Sequence, residues 1–88
     1  MSNNILFTDT AWKDYCYWQS QDKKTLRKIN LLLADIKRNK FSGLGKPEPL
    51  KNEFNGFWSR RIDDKNRLVY LINNDHIEVI QCKGHYND

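Results

Sequence analysis

The amino-acid sequence predicts an α+β fold in which two N-terminal helices pack on one face of a mainly antiparallel β-sheet. Two observations lead to this prediction. Apolar residues recur with helical spacing only in the first half of the chain, and they alternate with polar residues, as in strands, only in the second half. Such segregation is typical of α+β domains. The 88 residues leave room for a single domain, which we expect to span residues 1–88.

A short strand and two helices account for the first half. Ile5–Phe7 is an apolar run of strand length, and Thr8–Thr10 supplies oxygens suited to capping a helix. The helix that follows is interrupted at Gln19–Asp22, where Asp22 can cap a second helix. Apolar side chains then recur at helical spacing, at Leu26, Ile29, Leu32, Leu33 and Ile36. This pattern predicts an amphipathic helix of roughly five turns.

The second half contains a loop and a three-strand meander. Two glycines and two prolines between Phe41 and Leu50 end the second helix and predict a loop. Three runs rich in β-branched and aromatic residues predict strands at Phe57–Ile62, Arg67–Ile72 and Ile77–Cys82. The polar segments Asp63–Asn66 and Asn73–Asp75 have the length of hairpin turns.

Charge and hydropathy restrict the class of protein. Lys and Arg number 15 against 11 Asp and Glu, which gives a net charge of +4 and an isoelectric point near 9.2. This excess favours an anionic partner, which could be a nucleic acid, a membrane surface or an acidic protein. No apolar run approaches the roughly 20 residues that span a bilayer, and the N-terminus lacks the features of a signal peptide. We therefore expect a cytoplasmic protein that is not inserted in a membrane.

Metal, cofactor and disulfide sites are not predicted. Cys16 and Cys82 are far apart in sequence, and the two histidines are not paired with them at zinc-ligand spacing. Gly43-Leu44-Gly45 lacks the third glycine of a nucleotide-binding loop and follows a helix instead of preceding one. We expect two reduced thiols and no cofactor.

Several polar residues are candidates for chemistry on the uncovered sheet face. Arg60 and Arg61 point to opposite faces of their strand, so one of them can approach Arg67 across the hairpin and form a phosphate clamp. Solvated hairpin charges would give the same pattern. Glu48 lies between two prolines that bias both Lys46 and Glu48 toward extended backbone, which suits either a positioned base or an exposed turn.

The C-terminus offers an imidazole and a phenol. His85 and Tyr86 follow the last strand, where a strand end can deliver side chains to the open face or fray. A carboxylate, an imidazole and several cations suit cleavage of an RNA phosphodiester. A base takes the proton of the ribose 2′-hydroxyl, an acid protonates the 5′-oxygen, and cations stabilise the phosphate.

The sequence resembles the YoeB (Txe/YoeB) toxin family of the RelE superfamily over nearly its whole length. The matching blocks are Gly43–Lys51, Gly56–Ile62, Arg67–Tyr70 and His85-Tyr86, together with Trp12, Asp14-Tyr15, Tyr17-Trp18 and Lys28–Asn30. The resemblance implies a RelE-like microbial ribonuclease fold with a twisted sheet. It also implies a ribosome-dependent endoribonuclease of a type II toxin–antitoxin system, which cleaves mRNA in the ribosomal A site and inhibits translation.

The same resemblance assigns roles to individual residues. Glu48 would be the general base, His85 the general acid and Arg67 the group that stabilises the phosphate. Lys51 and Arg61 would contact RNA, and Tyr86 would orient the substrate. The implied partners are a YefM-like antitoxin, the 30S and 50S A-site region with its mRNA, and a second copy of the chain. Asn87-Asp88 extends beyond the tyrosine at which the family commonly ends.

Two other interpretations of the sequence remain open. The same cations would serve a non-catalytic module that binds RNA or the ribosome without cutting it. The aromatic residues Trp12, Tyr15, Tyr17 and Trp18 could form a protein-interaction surface on the first helix, or could simply pack in the core.

Overall fold

The computed structural model describes residues 4–85, and its helices and strands follow the order expected from the sequence. The helices are α1 (Asp9–Gln21) and α2 (Lys23–Arg38), and the strands are β1 (Ile5–Phe7), β2 (Glu48–Pro49), β3 (Trp58–Arg61), β4 (Arg67–Asn73) and β5 (His76–Gln81). A single 3₁₀ turn at Asn52–Phe54 connects β2 to β3. Neither helix combines the length and the apolar character needed to cross a membrane, within the described part of the chain.

The strands form one mixed sheet in the order β1-β5-β4-β3-β2. The edge strand β1 runs parallel to β5, and the other neighbouring pairs are antiparallel. A β-bulge between Val69 and Tyr70 shifts the register of β4 against β5, which strengthens the local twist. The predicted α+β class with a mainly antiparallel sheet is confirmed.

Side-chain oxygens start both helices at the predicted residues. The Thr8 hydroxyl accepts a hydrogen bond from the Ala11 N–H at 3.1 Å. Asp22 accepts from the N–H groups of Lys24 and Thr25 at 3.1 and 3.2 Å, and its own N–H donates to the Trp18 carbonyl at 3.0 Å. One residue thus ends α1 and begins α2, so the two helices meet at a fixed bend.

The core lies between the helices and one face of the sheet. Most of its fully buried members come from α2 and the strands β4 and β5: Ile29, Leu32, Ile36, Leu68, Tyr70, Ile77 and Val79. The aromatic residues of α1 divide between two environments. Trp18 is buried in the core, whereas Trp12 and Tyr17 are 51% and 43% exposed, so an interaction surface on α1 stays a prediction for these two residues.

A buried arginine connects the core to the loop after α2. Arg60 points from β3 toward the helices, and its side chain is fully inaccessible to solvent. Its guanidinium forms an ion pair with Asp35 of α2 at 2.6 Å and donates to the Tyr70 hydroxyl at 3.2 Å. Its remaining donors reach the loop carbonyls of Asn39, Ser42 and Leu44 at 2.6, 2.9 and 3.1 Å. The buried charge is therefore fully hydrogen-bonded.

Asp35 and Tyr70 complete this network. The Leu44 N–H and the Arg60 guanidinium hold the pKa of Asp35 below its usual value. Burial raises the pKa of Tyr70, whose hydroxyl donates to the Lys40 carbonyl at 2.7 Å. Gly43 has a φ of +115°, and a Cβ at this position would collide with the Asp35 carboxylate. The loop can approach the ion pair only with glycine there.

The segment Gly45–Pro49 differs from the expected loop. Glu48 and Pro49 form the edge strand β2, with Glu48 opposite Ser59 and Pro49 opposite Trp58. An edge position suits proline because it lacks the N–H that a central strand would need. The predicted extended backbone of Lys46 is wrong, since its φ is +51°. The Arg61 N–H donates to the Gly45 carbonyl at 2.6 Å and not to the carbonyl of Lys46, the next residue. The chain therefore bends at Lys46 before it enters β2.

We expect Arg60→Met to lower the free energy of unfolding by about 3–5 kcal/mol, because a buried carboxylate and three carbonyls lose their donor. Arg38 provides a matched control, since it contacts the same Asp35 at 3.3 Å but is 66% exposed. Arg38→Met should cost less than about 1 kcal/mol. Urea denaturation measures both free energies of unfolding. Equal losses of stability in the two variants would contradict the conclusion that the contacts of Arg60 matter because they are buried.

We expect the junction between α1 and α2 to lose stability in acid because it depends on the Asp22 carboxylate. Hydrogen bonds from the Thr25 hydroxyl and from the Thr25 and Lys24 N–H groups lower its pKa from 3.8. Its contribution to stability is therefore complete above that value and is lost as the pH falls through the folded-state pKa. Asp22→Asn keeps a capping oxygen but cannot titrate. Between about pH 4 and about pH 2, we expect the variant to lose stability less steeply than the unchanged protein in urea titrations. Parallel profiles would contradict this assignment.

Candidate active site

Charged side chains gather on the sheet face opposite the helices, which we call the open face. Because side chains alternate along a strand, the inward direction of Arg60 sends Ser59 and Arg61 to the open face, where Ser59 is buried and the Arg61 side chain is partly exposed. The register then adds Glu48, which faces Ser59, and Arg67, which faces Arg61. Of the two adjacent arginines, only Arg61 is available for the predicted clamp with Arg67.

Glu48 and Arg67 form an ion pair on this face. Their nearest oxygen and nitrogen atoms are 3.7 Å apart, and the side chains are 53% and 25% exposed. An ionised carboxylate can accept a proton, whereas a guanidinium stays charged and can only donate. The pair therefore places a candidate proton acceptor next to a permanent cation, with solvent access to both.

Two more predicted cations stand in the sheet or on its connections, Arg61 in β3 and Lys51 just after β2. The Arg61 guanidinium contacts Asp64 in the β3–β4 turn. Arg61 also lines a groove of about 330 Å³, together with Lys28, Gly45, Lys46 and Ile62. Lys51 is exposed just before the 3₁₀ turn, and its ammonium makes no ion pair or hydrogen bond with any residue in the range 4–85.

The segment after β5 is anchored to α1. The Cys82 N–H donates to Asp14 at 3.0 Å, and its carbonyl accepts from the Trp18 indole at 2.9 Å. The Lys83 ammonium lies 4.3 Å from the centre of the Tyr17 ring. Burial raises the pKa of Cys82 to about 12, so its thiol stays protonated and serves packing instead of reactivity.

His85 reaches the same end of the sheet as Arg67. The Arg67 N–H donates to the Gly84 carbonyl at 3.0 Å, and the Gly84 N–H donates to the Asn66 side chain at 2.7 Å. His85 follows directly; it is exposed, and its carbonyl accepts from Gln81 at 3.5 Å. Tyr86 and Asn87-Asp88 lie outside the described residues.

The structure brings together part of the predicted site. Glu48, Arg61 and Arg67 share the open face, and the chain carrying His85 is hydrogen-bonded to Arg67. Asp64 and Asn66, predicted from the sequence only as turn residues, contact the Arg61 guanidinium and the Gly84 N–H. Both stand in a polar turn, and no spacing pattern distinguishes them from ordinary turn residues. Across residues 4–85, no group of three or more His, Cys, Asp or Glu side chains could hold a metal ion.

Comparisons with known proteins find matches in both sequence and fold. The family described as "YoeB-like toxin of bacterial type II toxin-antitoxin system" matches residues 7–86. A toxin YoeB from Streptomyces coelicolor is 50% identical over 93% of this chain and 98% of its own. The toxin in a heterotetrameric YoeB-YefM toxin-antitoxin complex from Staphylococcus aureus is 47% identical, with a TM-score of 0.89 over 98% of this chain and 100% of its own. A YoeB dimer from the same organism is 49% identical, with a TM-score of 0.88 over 94% of this chain and 97% of its own.

More distant structures share the fold alone. YafQ from Escherichia coli, in a mutant form, superposes with a TM-score of 0.78 at 16% sequence identity, over 96% of this chain and 94% of its own. The order of helices and strands is therefore retained at a level of identity where side chains have largely diverged.

The contact between Asp64 and Arg61 predicts how the open face binds polyanions. Asp64→Asn removes a carboxylate from the exposed guanidinium, so we expect a short single-stranded RNA to bind about 2–5-fold more tightly. Fluorescence anisotropy at low salt measures the change. Asp75→Asn changes the net charge equally at the β4–β5 turn and should have a smaller effect. Equal tightening by both variants would contradict a local role for Asp64.

Proposed function

The chain belongs to the YoeB family of toxins of bacterial type II toxin–antitoxin systems, and we propose that it is a ribosome-dependent endoribonuclease that cleaves mRNA in the A site. The observation that carries this proposal is the Glu48–Arg67 ion pair on the open face. A proton acceptor and a cation 3.7 Å apart suit a reaction that removes a proton beside a phosphate.

Glu48 acts as the general base in this proposal. It takes the proton of the ribose 2′-hydroxyl, and the 2′-oxygen attacks the adjacent phosphorus. The bond from phosphorus to the 5′-oxygen breaks, and His85 gives its proton to that oxygen. The products are a 2′,3′-cyclic phosphate and a 5′-hydroxyl. Because the nucleophile belongs to RNA, DNA is not a substrate.

The cations stabilise the charge that develops on the phosphate. Arg67 lies next to the base and can donate two hydrogen bonds to phosphate oxygens. Arg61 is its cross-strand neighbour, and Lys51 stands after β2, so both can contact flanking RNA. Tyr86 orients or stacks on the substrate. With an exposed base and acid, we expect the ribosome to supply much of the substrate positioning.

The proposed partners follow from the relatives. The complex from Staphylococcus aureus contains YoeB and YefM, so we propose that a YefM-like antitoxin binds this chain. The YoeB dimer from the same organism supports a homodimer. The A site presents mRNA between the 30S and 50S subunits, which places the activity of this toxin in the cytoplasm.

Substitution of the proposed acid or base should abolish most cleavage. We expect Glu48→Ala and His85→Ala each to lower the single-turnover rate on programmed ribosomes about 100-fold or more, because each removes one proton transfer. Primer extension or labelled mRNA measures the rate. Glu53→Ala and His76→Gln are the matched controls, since they change the same residue types at positions that form no ion pair within residues 4–85.

Three outcomes separate the alternatives. Undiminished cleavage by both Glu48→Ala and His85→Ala would refute the residue assignment. Equal cleavage of free mRNA without ribosomes would refute ribosome dependence. Tight, salt-sensitive binding that leaves all RNA intact would instead support a non-catalytic binding module.

A further inference from the structure

Asn66 connects the turn before β4 to the segment that carries His85. Its side-chain oxygen accepts a hydrogen bond from the Gly84 N–H at 2.7 Å, although the two residues are 18 positions apart. The adjacent Arg67 N–H donates to the Gly84 carbonyl at 3.0 Å. The consecutive residues Asn66 and Arg67, where β4 begins, therefore hold both the N–H and the carbonyl of Gly84. His85 is the next residue in the chain.

Asp63 fixes the direction of the Asn66 side chain. The Asn66 amide nitrogen donates to the two Asp63 oxygens at 3.1 and 3.2 Å, which leaves the amide oxygen directed at Gly84. Asp63 also accepts from the N–H groups of Lys65 and Asn66, each at 2.8 Å. Burial alone would raise the pKa of Asp63, but these hydrogen bonds outweigh it and lower the pKa. The orientation of the Asn66 amide is thus set by hydrogen bonds within the turn, in addition to its bond with Gly84.

The backbone at Gly84 makes this docking possible. Its φ of +80° lies in the left-handed region, so the chain reverses there with little strain, and a Cβ at this position would meet no atom within 4 Å. The preceding residue is restrained on the other side by the contact of Lys83 with Tyr17. His85 therefore comes directly after a segment that is attached to both α1 and β4.

We propose that Asn66 is a positioning residue for the cleavage reaction, which holds His85 beside Arg67 by binding the Gly84 N–H. The inference rests on the proposed function, in which His85 is the general acid. Asn66 does not touch the substrate in this proposal. Its effect passes through Gly84, so it should alter the rate of the step that needs the imidazole and leave binding of the ribosome intact.

Asn66→Ala tests the proposal in single-turnover cleavage of mRNA on programmed ribosomes. We expect the maximal rate to fall about 10- to 100-fold, as for a misplaced catalytic group, with an unchanged half-saturating toxin concentration. In the His85→Ala background, Asn66→Ala should cause no further loss, because the group that it positions is absent. A purely structural role for Asn66 would lower the rate by the same factor in both backgrounds and would overturn the proposal.

Asn73→Ala is the matched control. Asn73 also stands at a hairpin and donates to a carboxylate, that of Glu78 at 3.1 Å, but it lies at the end of β4 opposite to Arg67. Neither asparagine has a positive φ, so alanine is compatible with both backbones. Asn73→Ala should leave the cleavage rate unchanged. An equal loss of rate with Asn73→Ala would overturn the assignment.

Amide hydrogen exchange tests the contact without relying on activity. Gly84 should exchange faster in Asn66→Ala but not in Asn73→Ala, while the Leu68 amide in β4 stays protected and shows that the variant is folded. If the unchanged protein leaves mRNA intact, the proposed function fails, and the exchange rates alone decide whether Asn66 holds the tail. Faster Gly84 exchange without any loss of cleavage rate would overturn the positioning role.

Discussion

The buried guanidinium of Arg60 is the interaction on which the geometry of this protein depends. It is fully enclosed, and all of its hydrogen-bonding capacity is directed at α2, the core tyrosine and the loop that follows α2. A charge in such a place is tolerated only when its partners are complete. The loop must therefore close over Arg60, and Gly43 permits that closure. Closure in turn delivers the chain to β2, where Glu48 pairs with β3.

The candidate site is built from two kinds of support. Glu48, Arg61 and Arg67 stand on hydrogen-bonded strands, whose spacing is set by the sheet register. His85 stands on a short segment after the last strand, which is held by side chains of α1 and by the β3–β4 turn. Under the proposed mechanism, the base and the phosphate-binding cations are thus fixed by the fold itself. The acid depends on a few individual contacts, so its placement is the more sensitive of the two.

Local patterns in the sequence predicted most of the fold and part of the site. The apolar spacing of α2, the alternation of the three long strands and the caps at Thr8 and Asp22 were each readable within a few residues. Strand β2 was not, because its two residues show no alternating pattern and its pairing with β3 depends on a loop that is held by the distant Arg60. Asn66 was not recognised either, since its partner lies 18 residues away and no local period encodes such a contact. The family resemblance supplied the roles that residue patterns left open.

Arg60 and Arg61 illustrate why charge counts alone do not define a binding surface. They are neighbours with the same chemistry, yet strand alternation sends one into the core and the other to the open face. The buried residue is neutralised by Asp35 and has no free donor for a phosphate. Within residues 4–85, the exposed one is paired with Asp64, whose side chain is 85% exposed and can move away in water at small cost. The cations that can bind an anionic partner are therefore those whose own carboxylate partners are exposed and only loosely paired. On the open face, the loosely paired cations include Arg61, with Arg67 next to a carboxylate that the proposed reaction requires; Lys51 adds an exposed ammonium after β2.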